Sequence, residues 1–225
     1  MIENSKIDHF IIDFLTYSYK TDNMTKTIIA QLILVSSLIV LIYFMSYTSQ
    51  SEALYVMSEF DGNEYLMRNL PDKEEAAYLL AVIKGKILIL KKYLAENKDT
   101  PEMKEFKSYI EQFDSKIKNV VLLENAPDGN YTSYTVNKGD EIALCLRSKQ
   151  TNELHDINLI MYVVLHELSH VACPEVDHTD LFKKIFIFML ETATKIGIYK
   201  YVDYDINPHE YCGLTINENL LANKK

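Results

Sequence analysis

The polarity of the chain changes register several times, and each register predicts an element. Residues 28 to 45, Ile-Ile-Ala-Gln-Leu-Ile-Leu-Val-Ser-Ser-Leu-Ile-Val-Leu-Ile-Tyr-Phe-Met, carry no charge. With Ser46 and Tyr47 the run reaches the roughly 20 residues that an α-helix needs to cross a bilayer. Tyr43, Phe44 and Tyr47 would form an aromatic end at the membrane interface. A secretory signal fits less well, because the run is too long and starts late. A transmembrane helix is therefore expected over 28–47. Before it stands an N-terminal arm, 1–27, in which Phe10-Ile-Ile-Asp-Phe-Leu15 reads as a short amphipathic helix. Lys20 and Lys26 precede the span, and no Lys or Arg follows until Arg68. The positive-inside rule then puts the arm in the cytosol and the bulk of the chain on the far side.

After the span, Glu52 to Leu70 has mixed polarity. Pro71-Asp-Lys-Glu-Glu75 opens a long helix to about Glu96, with acids in the first turn where the helix dipole favours them. Gly85 interrupts it mildly. Thr100-Pro101-Glu102 starts a second helix, capped by Thr100 and running to about Lys118. Charged residues fill the outward positions of both. The stretch 48–120 is thus expected to be a helical region packed on a domain over 121–225. From Tyr131 the period becomes two. Tyr131 to Val136 predicts a strand, Asn137 to Asp140 a turn, and Glu141 to Arg147 a second strand. Ile142 to Arg147 is the candidate for an exposed strand that holds an extended peptide by main-chain hydrogen bonds; otherwise the hairpin is a simple cover.

Asn158 to Leu165 is apolar on nearly every side, as a central buried helix would be. Asp156 is its N-cap, and Cys173-Pro174 ends it. This helix carries His166-Glu167-Leu168-Ser169-His170. Residues four apart share a helix face, so both imidazoles can address one metal ion. Glu167 lies about 100° round from His166, near enough to hold and deprotonate a water on that metal. Two neutral imidazoles and one further ligand leave Zn²⁺ an open fourth position, as in a catalytic site. Without a metal, the segment would be a core helix in which a buried Glu between two His is an unpaired cost.

Two residues downstream are candidates for the third ligand. His178 follows His170 by eight positions and precedes a second apolar helix, Leu181 to Leu190, which Thr179 can cap. Glu191 lies at the far end of that helix. Thirteen helical residues span about 20 Å, so the two cannot both reach one ion. A turn after Pro174 brings His178 back against the first helix, which favours it. Glu191 is the alternative ligand, or an acceptor for a ligand imidazole. The tail from Tyr199 to Gly213 is rich in Tyr, Asp and His. Tyr211 and His209 there, and Arg147 upstream, are candidate donors to the oxyanion of a tetrahedral intermediate.

Composition narrows the function classes. The net charge is −9 and the pI about 5.2, so no overall basic surface suggests nucleic acid. Cys145, Cys173 and Cys212 include no C-x-x-C pair, cannot build a full disulfide framework, and do not decide the redox compartment. Cys173 and Cys212 read as buried, inert thiols. Asn130-Tyr-Thr132 would be a glycosylation acceptor on the far side of a membrane.

His166-Glu-Leu-Ser-His170 followed by His178-Thr-Asp-Leu-Phe182 resembles the WLM and SprT groups of zinc peptidases, whose pattern is H-E-x-x-H, a short loop, then H-x-x-x-F opening a helix. More closely, Ser133 to Gly139, Cys145-Leu-Arg147 and Pro208 to Gly213 resemble WLM-like metallopeptidases of large DNA viruses of algae and protists. The resemblance covers roughly the second half of the chain. It implies His166, His170 and His178 as zinc ligands, Glu167 as general base, and Phe182 packing the following helix on the site. It also implies an α+β, zincin-like catalytic domain over 121–225, with helices and a small antiparallel sheet. The loop before His178 is longer than in most WLM sequences, and no partner-binding tail of the DNA-repair members is recognisable, so a DNA-repair role is not expected.

The resulting expectation is a single-pass membrane zinc metalloendopeptidase of a virion or host membrane, acting on protein or peptide. Its rivals are a non-catalytic structural membrane protein that keeps the zinc scaffold, and a zinc hydrolase with a non-peptide substrate. The sequence does not specify an oligomeric state.

Overall fold

The computed structural model describes residues 24–43, 53–126, 132–218 and 220–221. The chain divides into two compact units, Met1–Ser51 and Glu52–Lys225. In the first, helix α1 (Met24–Tyr43) is 20 residues long with a mean hydropathy of 2.1, and none of it is buried. It begins four residues before the expected span. Its two serines donate back to the backbone, Ser36 Oγ to Ile33 O at 2.9 Å and Ser37 Oγ to Leu34 O at 2.8 Å. That leaves little for solvent to satisfy along an apolar helix. Phe10 to Leu15, Phe44, Tyr47, and Asn130 of the glycosylation triplet lie outside the described residues.

The second unit is built on a five-stranded sheet in the order β1-β2-β3-β5-β4. Strands β1 (Ala53–Met57) and β2 (Glu64–Arg68) form an antiparallel hairpin. The stretch 48–120, read as helical, therefore supplies two of the strands. Its period-two signal lasts only five residues on each side of the turn, with Val56, Tyr65 and Met67 facing the core. Strand β3 (Val121–Glu124) pairs parallel with both β2 and β5 (Glu141–Leu144), and β4 (Tyr134–Val136) pairs antiparallel with β5. The sheet is thus mixed, not antiparallel as expected. The cause is the connection from β2 to β3. It runs through α2 (Lys73–Asn97) and α3 (Lys107–Lys116), and a crossover of that length joins parallel neighbours. β5 consequently sits inside the sheet, and β4, not Ile142 to Arg147, is the edge.

Helix α2 buries Leu80, Ile83, Ile87, Leu90 and Leu94 at helical spacing. The second helix starts later than Thr100 predicts, through a 3₁₀ turn at Lys104–Phe106. Thr100 Oγ1 donates to Asn97 O at 2.7 Å, so its hydroxyl closes the end of α2 and is not the cap of α3. Helix α4 (Ile157–Ala172) runs through the core with Ile160, Val164, Leu165, Leu168 and Val171 fully buried. Asp156 caps it, accepting from Asn158 N at 2.8 Å. Helix α5 (Asp180–Lys195) is capped by Thr179, which accepts from Phe182 N at 3.2 Å, and packs on α4. A final hairpin joins β6 (His209–Tyr211) to β7 (Leu214–Ile216) through Cys212 and Gly213, both at positive φ as a two-residue hairpin turn requires.

Two fastenings orient these parts. The β4–β5 turn packs Gly139 against the ends of α3 and α4. A Cβ there would stand 3.1 Å from Ile117 Cδ1 and 3.2 Å from Val171 Cγ1, at a φ of +122°. Elsewhere Arg147, almost wholly buried, donates to Glu124 Oε1 at 2.8 Å and to Asp72, while Glu124 Oε2 accepts from Arg68 N at 2.9 Å. This polar knot joins the end of β5 to β3, β2 and the start of α2. Gly139→Ala should lower unfolding free energy by roughly 1–3 kcal/mol in urea titrations, since strain and crowding act together. An unchanged midpoint would mean the turn relaxes without disturbing α4.

Candidate metal centre

One face of α4 presents His166 and His170, and the loop after Pro174 returns His178 beside them. Their Nε2 atoms lie 3.2 Å apart between His166 and His170, 3.3 Å between His170 and His178, and 3.0 Å between His166 and His178. These three form the metal-competent cluster among the described residues. Metal–nitrogen bonds of 2.0–2.1 Å at tetrahedral angles would put the nitrogens about 3.3–3.4 Å apart. The donor set fits such an ion, with one corner left open.

The rings are fixed by aromatic packing. His170 stacks on Phe182 at a centroid distance of 4.1 Å, and His166 and His178 meet the same ring edge-on at 5.0 and 4.9 Å. Phe182 opens α5, so the cap that starts this helix also sets the ring that all three imidazoles touch. Burial pushes the His166 imidazole down to about 3, with charge on His170 and His178 adding to the effect. Burial, with charge on His178 adding to it, likewise takes His170 down to about 4. Both rings are therefore neutral at pH 7, the form that ligates metal.

Glu167 is buried, and its Oε2 accepts from Thr135 Oγ1 of β4 at 2.9 Å. Burial raises its pKa, and the Thr135 hydrogen bond opposes that rise. Tyr211 Oη shares a 2.8 Å hydrogen bond with Ser133 Oγ, which accepts from Cys145 N at 3.2 Å. Burial keeps the Tyr211 hydroxyl protonated well above neutral pH. Tyr211, Ser133, His166, Glu167 and His178 line one cavity of about 550 Å³. Cys212 is not a free thiol: it pairs with Cys145 in a disulfide, which fastens the β6–β7 turn to the end of β5, next to Tyr211. Cys173 is buried and free, as expected.

The other candidates lie elsewhere. The Arg147 guanidinium is engaged by Glu124 and Asp72 and does not line this cavity. His209 is exposed, its Nδ1 2.8 Å from Asn207 O, and is also absent from the lining. Glu191 sits exposed on α5, outside the metal-competent cluster. The sequence reading missed Ser133 and Thr135. Their signal was present, because alternate residues of a strand share a face and these two stand two apart in the period-two segment.

The chain is similar in sequence to known proteins. The WLM domain family model matches residues 112–188. Over 198 residues the chain is 55% identical to the uncharacterized protein R325 of Acanthamoeba polyphaga mimivirus, covering 88% of this chain and 100% of that protein. It is 39% identical over 69 residues to the uncharacterized protein 136R of Invertebrate iridescent virus 6, covering 30% of this chain and 38% of that protein. It is 45% identical over 67 residues to the uncharacterized protein 042R of Invertebrate iridescent virus 3, covering 30% and 42%. The crystal structure of Wss1 from Saccharomyces cerevisiae superposes on 57% of this chain and 84% of its own, with 24% identity and a TM-score of 0.42. The architecture is α+β. The chain belongs to the WLM-like proteins of large DNA viruses.

The depressed imidazoles carry a consequence for stability. In the unfolded chain they titrate near 6.5, while in the metal-free fold they resist protonation down to about 3 and 4. Their contribution is complete above pH 6.5 and is lost as pH falls towards the folded values. Metal-free protein should therefore lose on the order of 2–4 kcal/mol between pH 7 and pH 5, measured by urea unfolding. A flat profile over that interval would show His166 and His170 exposed to solvent in the metal-free fold.

Proposed function

We propose that this chain is a membrane-anchored, zinc-dependent metallopeptidase, with His166, His170 and His178 as ligands and Glu167 as general base. The observation that carries the reading is the convergence of three imidazoles, two of them kept neutral by burial, with a buried carboxylate one position along the same helix. Zn²⁺ suits an all-imidazole tetrahedral set, and when bound it supplies Lewis acidity that polarises a scissile carbonyl and acidifies a water. Thr135 engages Glu167 Oε2, so Oε1 takes the proton from water and later delivers it to the leaving amine. The raised carboxylate pKa suits a group that must both accept and return a proton. The Tyr211 hydroxyl donates to the carbonyl oxygen as charge develops there, exchanging its Ser133 partner for the substrate. Strand β4, at the edge of the sheet and joined to Glu167 through Thr135, receives the extended substrate by main-chain pairing.

Helix α1 anchors the protein, with the catalytic unit on the far side of the membrane from the N-terminal arm. Two features support that orientation: Lys20 before the helix with Lys26 in its first turn, and the Cys145–Cys212 disulfide, a bond that persists in oxidising compartments and on virion surfaces. The viral origin of the homologues supports a virion or host membrane as the setting.

Glu167→Gln should lower peptide turnover by about 10²–10⁴-fold while binding one zinc per chain. Full activity in this variant sinks the general-base role. Loss of the zinc along with the activity would instead make Glu167 a structural residue. In a second experiment, the full chain should stay in the membrane pellet through alkaline carbonate extraction, and its catalytic unit should be cut by added protease only from the non-cytosolic face. Release into the supernatant ends the anchor reading.

A further inference from the structure

We infer that the cavity beside the metal cluster is a subsite for a large apolar side chain of the substrate, next to the scissile bond. The inference rests on the peptidase reading and deepens it. The stripe of α4 that carries His170 and His166 continues one turn back to Tyr162, with Val163 beside it. On α5 the ring that packs the imidazoles, Phe182, is followed one turn on by Phe186. Tyr162 and Phe186 meet edge-on at 5.3 Å, and Phe186 also touches His166 at 5.2 Å. Across from them stand Ile216 of β7 and Leu220. The cavity of about 550 Å³ therefore begins at His166, Glu167 and His178 and runs between two aromatic-lined helices and an apolar hairpin. Besides Glu167, its acidic and basic lining residues, Lys183 and Glu218, are exposed at the surface.

The occupant is set by this lining and by the strand beside it. Thr132 and Ser133, just before β4, line the same cavity, so a peptide extended along that strand presents alternate side chains to it. A charged side chain entering there would lose its hydration against Tyr162, Val163, Phe182 and Phe186, while Lys183 and Glu218, which could pair with it, are exposed to solvent, where an ion pair is worth little. A methyl group would leave most of the space without contacts. A Leu, Met or Phe side chain makes those contacts, and the cavity of about 550 Å³ leaves room for the neighbouring residues of the peptide. Discrimination by an apolar pocket of this kind is about 10- to 100-fold between a large apolar residue and Ala.

The test uses the zinc-loaded full chain in detergent and two readouts. The first is the set of cleavage sites in a proteome-derived peptide library. The second is binding of N-acetyl-Ala-Phe-Ala-amide against N-acetyl-Ala-Ala-Ala-amide, followed through the methyl resonances of Val163 and Ile216, which needs no turnover. We expect a large apolar residue at one position flanking the cut and tighter binding of the Phe peptide. Val163→Phe, which narrows the cavity, should reduce the Phe-to-Ala preference at least tenfold in both readouts. Ile216→Ala, on the outer hairpin, should weaken the preference in the same direction, with folding and zinc content checked for each variant. Cleavage with no side-chain preference, together with equal binding of the two peptides, overturns the subsite and leaves the peptidase reading standing. Preferential binding of the Phe peptide without any cleavage keeps the subsite and overturns the peptidase reading. Equal binding and no cleavage overturn both.

Discussion

Three ring nitrogens stand within 3.3 Å of one another, and the rest of the site depends on holding them there. Without a cation between them, each nitrogen offers either one N–H or one lone pair, so the three mutual contacts cannot all be hydrogen bonds, and protonation would add like charges. The surrounding structure opposes this with burial. α4 is nearly all core, so His166 and His170 cannot turn away without moving Ile160, Val164 and Leu168. His178 is less restrained by burial. Its position is set by the sharp return after Pro174 and by the Thr179 cap that starts α5 where Phe182 meets all three rings. The low imidazole pKa values are the electrostatic record of that confinement.

The opposite wall of the cleft is held by a different kind of constraint. Gly139 lets the β4–β5 turn press on the end of α4, which brings Thr135 to Glu167. The Cys145–Cys212 disulfide fixes the β6–β7 turn to the end of β5, which brings Tyr211 to Ser133. The two fastenings meet at Cys145, whose N–H donates to Ser133 and whose sulfur bonds Cys212. Arg147, two residues further on, serves the other side of the sheet end. Its charge is taken up by Glu124 and Asp72, and a buried guanidinium in such a knot does not reach an oxyanion.

Much of this architecture was legible in the residues. The caps at Asp156 and Thr179, the apolar periodicity of α4 and α5, and the Asn137–Asp140 turn each pointed to one local structure, and the helices and hairpin appear where local signals agree. The features that escaped the sequence were long-range. Period-two runs of five residues in β1 and β2 are too short to stand out, and the order of strands depends on a crossover that no local pattern encodes. Arg147 looked like a free donor because its partners are 23 and 75 residues away. Cys212 looked like an inert thiol because its partner is 67 residues away. Thr100 had the residue type of a cap, but the chain used its hydroxyl to end one helix before beginning the next.

The same stripe of α4 carries His166 and His170 at its C-terminal end and the floor of the cleft one turn earlier, so the proposed chemistry and the proposed selectivity share one rigid element. Tyr162, His166 and His170 rise along it at intervals of four, and Phe182 and Phe186 answer them from α5. A helix presented in this way cannot adjust one function alone. A rotation or shift that re-aimed the imidazoles would move Tyr162 and Val163 by a similar amount. The hairpin side is built differently, from a turn and a disulfide-tethered ribbon on which Ile216 and Leu214 flank the cavity. Changes of substrate preference within this architecture are therefore least disruptive on β7 and the residues after it, where side chains can be replaced without disturbing the core that confines the three imidazoles.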